Sequence, residues 1–147
     1  MSICTRPENF LALIDKTSGE VQYLHRGQSF YASPTLAPDC ISLAWLSWDH
    51  PNMPWDGTRL WTAMLSSSGI TDIRHAAGSN DTSIFQPRWS TDLVLHFVSD
   101  KTGWWNLYRI KNQEEENLTP AEAEYGLPQW QFGMSSWAFS SEGQSDG

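Results

Sequence analysis

The chain has 147 residues, 39% of them hydrophobic and 18% charged, with a formal net charge of −8 and nine tryptophans. That length suits one domain with a modest core, and the composition excludes a disordered chain. The acidity and the scatter of the nine basic residues argue against nucleic acid, which needs clustered Lys and Arg to neutralise phosphate. Cys4 and Cys40 are too few for a disulfide framework or a tetrahedral zinc site, so reduced thiols and a cytoplasmic setting are the expectation. No apolar run approaches the roughly 18 residues of a membrane helix, and the N-terminal MSICTRPENF is read as carrying no signal peptide. The reading therefore includes no membrane and no nucleic-acid partner.

In chain order, residues 10–15 and 21–25 are expected as two strands around the Lys16-Thr17-Ser18-Gly19 turn. Four strands follow at 31–36, 42–48, 60–65 and 72–76. Four more are expected at 84–89, 94–99, 105–110 and 116–119, the middle pair joined by the turn Asp100-Lys101-Thr102-Gly103. A final alternating segment runs from 127 to 140. Helix is hard to find: only residues 120–124 have helix-forming composition, enough for one turn at most. The run Glu114-Glu115-Glu116 reads as a solvated outer edge.

The strand pattern repeats. Segments from Ser33, Gln86 and Leu127 each place a proline (Pro34, Pro87, Pro128) before a polar turn and an alternating aromatic strand. A repeat of roughly 40–50 residues with about four short strands is the signature of β-propeller blades. The expected fold class is all-β, an incomplete propeller of about two complete four-stranded blades and two half blades. The boundaries are a half blade at 9–27, blades at 30–78 and 84–120, and a half blade at 126–143. Half blades leave strand edges open, so self-association is expected.

The connection within LAWLSWDHPNMPWDGT, residues 43–58, interrupts this regularity. Leu43, Trp45 and Ser47 alternate with Ala44, Leu46 and Trp48, and the chain then enters a loop far longer than a hairpin needs. A loop rich in aromatic, Pro and charged residues reads as a site or interface, or as a decorated hairpin packed on its own domain. Asp49, His50 and Asp56 could in principle hold a metal, but their spacing is no known ligand motif and carboxylates beside Pro and Gly commonly cap turns. No metal and no cofactor is therefore expected. Trp104, Trp105, Asn106 and Tyr108 form a second aromatic group, read first as a wedge between blades. In a four-stranded blade the loop from strand two to strand three shares a face with the loop entering the next blade. Asp49, His50, Asn52, Trp55, Asp56 and Trp104 are accordingly the candidate residues of one presenting face.

Catalytic chemistry is hard to place. The nearest string to a G-x-S-x-G nucleophile elbow, Gly133-Met134-Ser135-Ser136-Trp137, lacks the second glycine. His25, His50, His75 and His96 have no evident triad partners, with His96 in a strand and His25 and His75 near outer strand ends.

LAWLSWDHPNMPWDGT, FQPRWS from Phe85, LHFVSDKTGWWNLYRI from Leu95 and EAEYGLPQWQFGMSSWAF from Glu122 resemble the N-terminal propeller, of the TolB-like kind, in the prolyl oligopeptidase family. Within it the resemblance is to the dipeptidyl aminopeptidase and acylaminoacyl peptidase branch, and it covers residues 9–143. It implies a propeller set over an α/β-hydrolase domain that carries a Ser-Asp-His triad and cleaves peptides, with the propeller gating access. Those catalytic residues have no matching positions here, and the hydrolase domain is absent from this sequence. The expected partners are thus that hydrolase domain and, through the intact enzyme, peptide. The alternatives are a free-standing propeller module that binds a protein, or an inactive remnant. The family's Ser-Pro-Asp-Gly turns are altered here, to Ala37-Pro38-Asp39-Cys40 and to Ser90-Thr91-Asp92-Leu93, each losing the glycine that supplies φ > 0.

Overall fold

A computed structural model describes residues 7–127 and 129–140. Cys4, Pro128 and the end of the last expected half blade, residues 141–143, lie outside them. The described residues contain ten strands and no helix, residues 120–124 included. β1 (Phe10–Ile14) and β2 (Val21–Arg26) form an antiparallel hairpin. Asp15 shapes its turn: Oδ1 accepts the N–H groups of Thr17 and Ser18 at 2.7 and 2.8 Å. These bonds hold its carboxyl below the usual carboxylate range.

Two four-stranded antiparallel blades follow. The first orders β3 (Phe30–Leu36), β4 (Ser42–Trp48), β5 (Arg59–Ser66) and β6 (Gly69–Gly78) consecutively. The second runs β7 (Ile84–Trp89), β8 (Leu95–Ser99), β9 (Asn106–Lys111) and β10 (Glu114–Asn117). The fourth strand of the second blade starts two residues before its expected position. The cause is a tight turn at Asn112 and Gln113, both at positive φ (51° and 67°), a conformation that two-residue hairpins require and that Gln rarely adopts. The three glutamates form that outer edge, where Glu115 pairs with Lys101 at 2.9 Å and Glu116 with Arg109 at 2.7 Å.

The repeated prolines have a structural role. Pairing of β3 with β4 slips between Ala32 and Thr35, and pairing of β7 with β8 slips between Phe85 and Arg88. Ser33 and Gln86, each just before a repeat proline, both have φ of 51°. A proline has no N–H to give a ladder and is tolerated at a bulge on an edge strand. β3 and β7 are such edges, the innermost strand of each blade.

The alternation of β4 is used on both faces. Leu43 and Trp45 enter one core with Leu11 and Ala63, against the β1–β2 hairpin. Ala44 and Leu46 enter a second core with Leu60, Ile84, Leu95, Phe97 and Tyr108, between the two blades. Trp45 and Phe97 are completely buried, and each such side chain contributes about 2–3 kcal/mol of burial. The face of Trp104, Trp105, Asn106 and Tyr108 is split: Tyr108 stacks on Phe97 in this core with ring centroids 5.8 Å apart, whereas Trp104 is 39% exposed.

One expectation fails. Residues 127 and 129–140 carry no strand, where an inner half blade was expected. A strand needs a neighbouring ladder, and this segment is held by side chains instead. Gln86 Oε1 accepts the Ser136 N–H at 2.7 Å, and Gln86 Nε2 donates to the Trp137 carbonyl at 2.8 Å.

Candidate functional site

The connection of residues 49–58 begins where β4 ends. Asp49 Oδ1 accepts the Ser29 N–H at 2.8 Å, and Oδ2 pairs with Arg59 Nη1 at 3.1 Å. Partial burial pushes the Asp49 carboxyl up, but the Ser29 N–H and the Arg59 guanidinium outweigh it and hold the group below its ordinary value. Arg59 also donates to Gln28 Oε1 at 3.2 Å and to Asn80 Oδ1 at 2.6 Å. Three chain segments are thereby fastened to the start of β5.

Further along, the His50–Pro51 peptide is cis and His50 is exposed. Asn52 reaches across with Nδ2 to the Asn80 carbonyl at 2.7 Å. Asp56 closes the turn, accepting the Met53 N–H on Oδ2 at 2.8 Å while its own N–H bonds the Met53 carbonyl at 3.0 Å. Trp55 packs its ring on Trp130, centroids 4.9 Å apart. Asp49 and Asp56 are thus engaged within the fold, and no group of three His, Cys, Asp or Glu side chains suited to a metal exists among the described residues.

The second blade repeats the device. Asp100 Oδ1 accepts the Ser83 N–H at 2.7 Å, and the Asp100 N–H returns to the Ser83 carbonyl at 3.3 Å. Burial raises the Asp100 carboxyl above its ordinary value despite the Ser83 bond. Trp105 holds the exit from this blade: its N–H donates to Glu124 Oε2 at 3.2 Å, and its carbonyl accepts the Tyr125 N–H at 2.7 Å. Asn106 Nδ2 donates to the carbonyls of Ala121 and Ala123 at 3.0 and 3.1 Å. In both blades the loop between strands two and three grips the segment leading onward, so the loops of Asp49–Asp56 and of Trp104 lie on one face.

Sequence reasoning singled out neither Arg59, Asn80 and Ser83, which organise this face, nor a groove along the inner strands. The groove has a volume of about 530 Å³ and is walled by β3, β7 and residues 129–134, with Trp48, Phe85, Gln86 and Arg88 among its lining. The paired prolines were the one sequence signal at this place. Ser135, of the elbow-like string, lies beside it: its hydroxyl accepts from Gln86 Nε2 at 2.9 Å and Arg88 Nη2 at 3.0 Å and donates to the Trp137 carbonyl at 3.1 Å.

Two consecutive four-stranded blades, joined on one face by matching grips, define a segment of a β-propeller. No protein-family model and no curated protein matches the chain. Solved structures do. A puromycin hydrolase mutant complexed with PGG is 38% identical over 78% of this chain, with a TM-score of 0.72. A puromycin-hydrolyzing peptidase of Mycobacterium tuberculosis is 37% identical over 80%, and another puromycin hydrolase is 37% identical over 81%, both with TM-scores of 0.72. The chain spans 18% of the length of each of these proteins. The likeness supports the prolyl oligopeptidase family.

Proposed function

We propose that this chain is a propeller segment of a prolyl oligopeptidase-family peptidase, docking on an α/β-hydrolase domain and gating the access of peptides to it. The observation that carries the reading is the 37–38% identity to two puromycin hydrolase structures and a puromycin-hydrolyzing peptidase over about four fifths of the chain, with the fold preserved. In this reading the docking surface is the face built by residues 49–58 and 100–105. Its apolar exposure fits that role: Met53 is 47% and Trp104 39% exposed, and Trp130, packed on Trp55, is 75% exposed. The grips between blades keep this face rigid, which lowers the ordering cost of docking. Bond cleavage belongs to the hydrolase domain, and the dipeptidyl or acylaminoacyl specificity is part of the proposal.

The test is association with a separately expressed α/β-hydrolase domain from a puromycin-hydrolysing relative. Co-elution in size exclusion is expected, and the pair Trp55→Asp and Trp104→Asp abolishes it while leaving the far-UV circular dichroism unchanged. Independent elution of the two wild-type components at tens of micromolar overturns the reading.

A further inference from the structure

Arg88 leaves β7 just beyond the Gln86–Pro87 bulge and lines the inner-strand groove. Its guanidinium is fixed by the protein: Nη2 donates to Ser135 Oγ at 3.0 Å, Nη1 to the Trp137 carbonyl at 3.4 Å, and the cation lies 5.8 Å from the Trp137 ring centroid. An arginine carries five N–H donors in a planar fork, so donors remain after these two bonds. Arg59, Arg74, Lys101 and Arg109 each have a carboxylate partner. Among the described residues Lys16, Arg26, Lys111 and Arg88 have none, and of these four only Arg88 lines the groove.

The surroundings sharpen this. The chain has 17 acidic residues against nine basic ones, yet no Asp or Glu and no second Lys or Arg lines the groove. Its other lining is aromatic, apolar or neutral polar, with Trp48 and Phe85 beside the amides of Gln129 and Gln131. β3 and β7 are the last strands of their sheets on this side. Thr58 Oγ1 accepts the Ile84 N–H and donates to the Ile84 carbonyl, Trp89 Nε1 donates to the Thr35 carbonyl, and Pro34 and Pro87 have no N–H, so pairing with an extended chain falls to the remaining outer backbone groups. The volume, about 530 Å³, is that of a small-ligand site.

We propose that this groove binds the carboxylate of a short peptide, with Arg88 as the anchor and the edges of β3 and β7 alongside the peptide backbone. A carboxylate matches the guanidinium fork in charge and plane, and a neutral aromatic lining favours an uncharged remainder. The inference deepens the proposed peptidase reading, naming which group of the peptide this segment holds. It rests on that reading only for the choice of a peptide.

The experiment is calorimetric titration of the chain at low ionic strength with three peptides: Ala-Pro-Phe with a free C-terminus, its C-terminal amide, and amidated Ala-Glu-Phe. The free acid is expected to bind at least about tenfold more tightly than the amide, with the difference shrinking as salt is raised. Arg88→Gln brings the free acid to the level of the amide, and Arg88→Lys retains part of the preference. Because Arg88 also steadies Ser135 and Trp137, circular dichroism accompanies each variant, and the acid-to-amide ratio of the unmutated chain needs no variant at all. If amidated Ala-Glu-Phe matches the free acid, a side-chain carboxylate serves; if it matches the amide, the terminal one is required. Equal binding of acid and amide, no binding at millimolar peptide, or a preference that survives Arg88→Gln overturns the proposal. Docking is read by co-elution with the hydrolase domain, so failure of one test is distinguishable from failure of the other.

Discussion

Gly57 tests whether the grip between the long loop and the next blade is as tight as its geometry shows. A Cβ at position 57 would lie 2.2 Å from the Asn80 carbonyl oxygen, 2.3 Å from its carbon and 2.8 Å from the Ser79 carbonyl oxygen. Those are backbone atoms and cannot turn aside as a side chain would. Reaching an ordinary contact requires a shift of about 1 Å. The bonds that fasten the same place are Asn52 Nδ2 to the Asn80 carbonyl, Arg59 Nη2 to Asn80 Oδ1, and the Thr58 N–H to the Thr82 carbonyl. Overpacking costs about 1–3 kcal/mol, and a weakened hydrogen bond adds about 1 kcal/mol. Gly57→Ala is therefore expected to cost about 3 kcal/mol, which lowers Tm by roughly 9 °C for a chain of this size. Gly103 is the comparison: it sits on the equivalent loop at φ of 85°, with no atom within 4 Å of an added Cβ. Gly103→Ala pays only the left-handed backbone term of about 1 kcal/mol, a Tm loss of roughly 3 °C. Thermal unfolding followed by circular dichroism separates the two. Equal shifts, or no shift for Gly57→Ala, would refute the steric argument.

Other expectations follow from the turns, the core and the histidines. Cys40 (φ 58°) and Leu93 (φ 62°) occupy the turn positions that lost glycine, so Cys40→Gly and Leu93→Gly should each stabilise by about 1 kcal/mol in urea unfolding; destabilisation by both would show that these side chains contribute more than their conformation costs. Phe97→Ala empties the centre of the interblade core and should cost about 3–5 kcal/mol, comparable with the whole stability of many domains; a loss below about 1 kcal/mol would place the core elsewhere. His25 bonds Tyr31 Oη through Nδ1 at 2.9 Å, and His96 bonds the Val94 carbonyl through Nδ1 at 3.0 Å. Burial holds both imidazoles below their ordinary value. The unfolded chain therefore takes up protons first, so their contribution is complete above about pH 6.5, the unfolded value, and declines as pH falls through it. The urea midpoint should drop between about pH 7.5 and 5.5 and flatten in a variant carrying His25→Gln and His96→Gln; a flat wild-type profile would contradict the assignment.

Local sequence determined the strands and the blades. The two faces of β4 were legible because a strand alternates with period two, and Leu43 and Trp45 do enter a different core from Ala44 and Leu46. The strained turns were legible through the family resemblance, since Cys40 and Leu93 stand where its turns carry the glycine that supplies a positive φ. Local pattern failed where a partner was required. Residues 134–140 alternate like a strand but form none, because an alternating segment becomes a strand only when a neighbouring backbone completes its ladder. It failed again at Asn112 and Gln113, where the hairpin imposes a conformation that Gln does not advertise. Only the tertiary structure brought Arg59 to Asn80, Asp100 to Ser83 and Arg88 to Ser135. These pairs lie 21, 17 and 47 residues apart in the chain, and periodicity records what one segment wants to bury, not which distant segment will meet it.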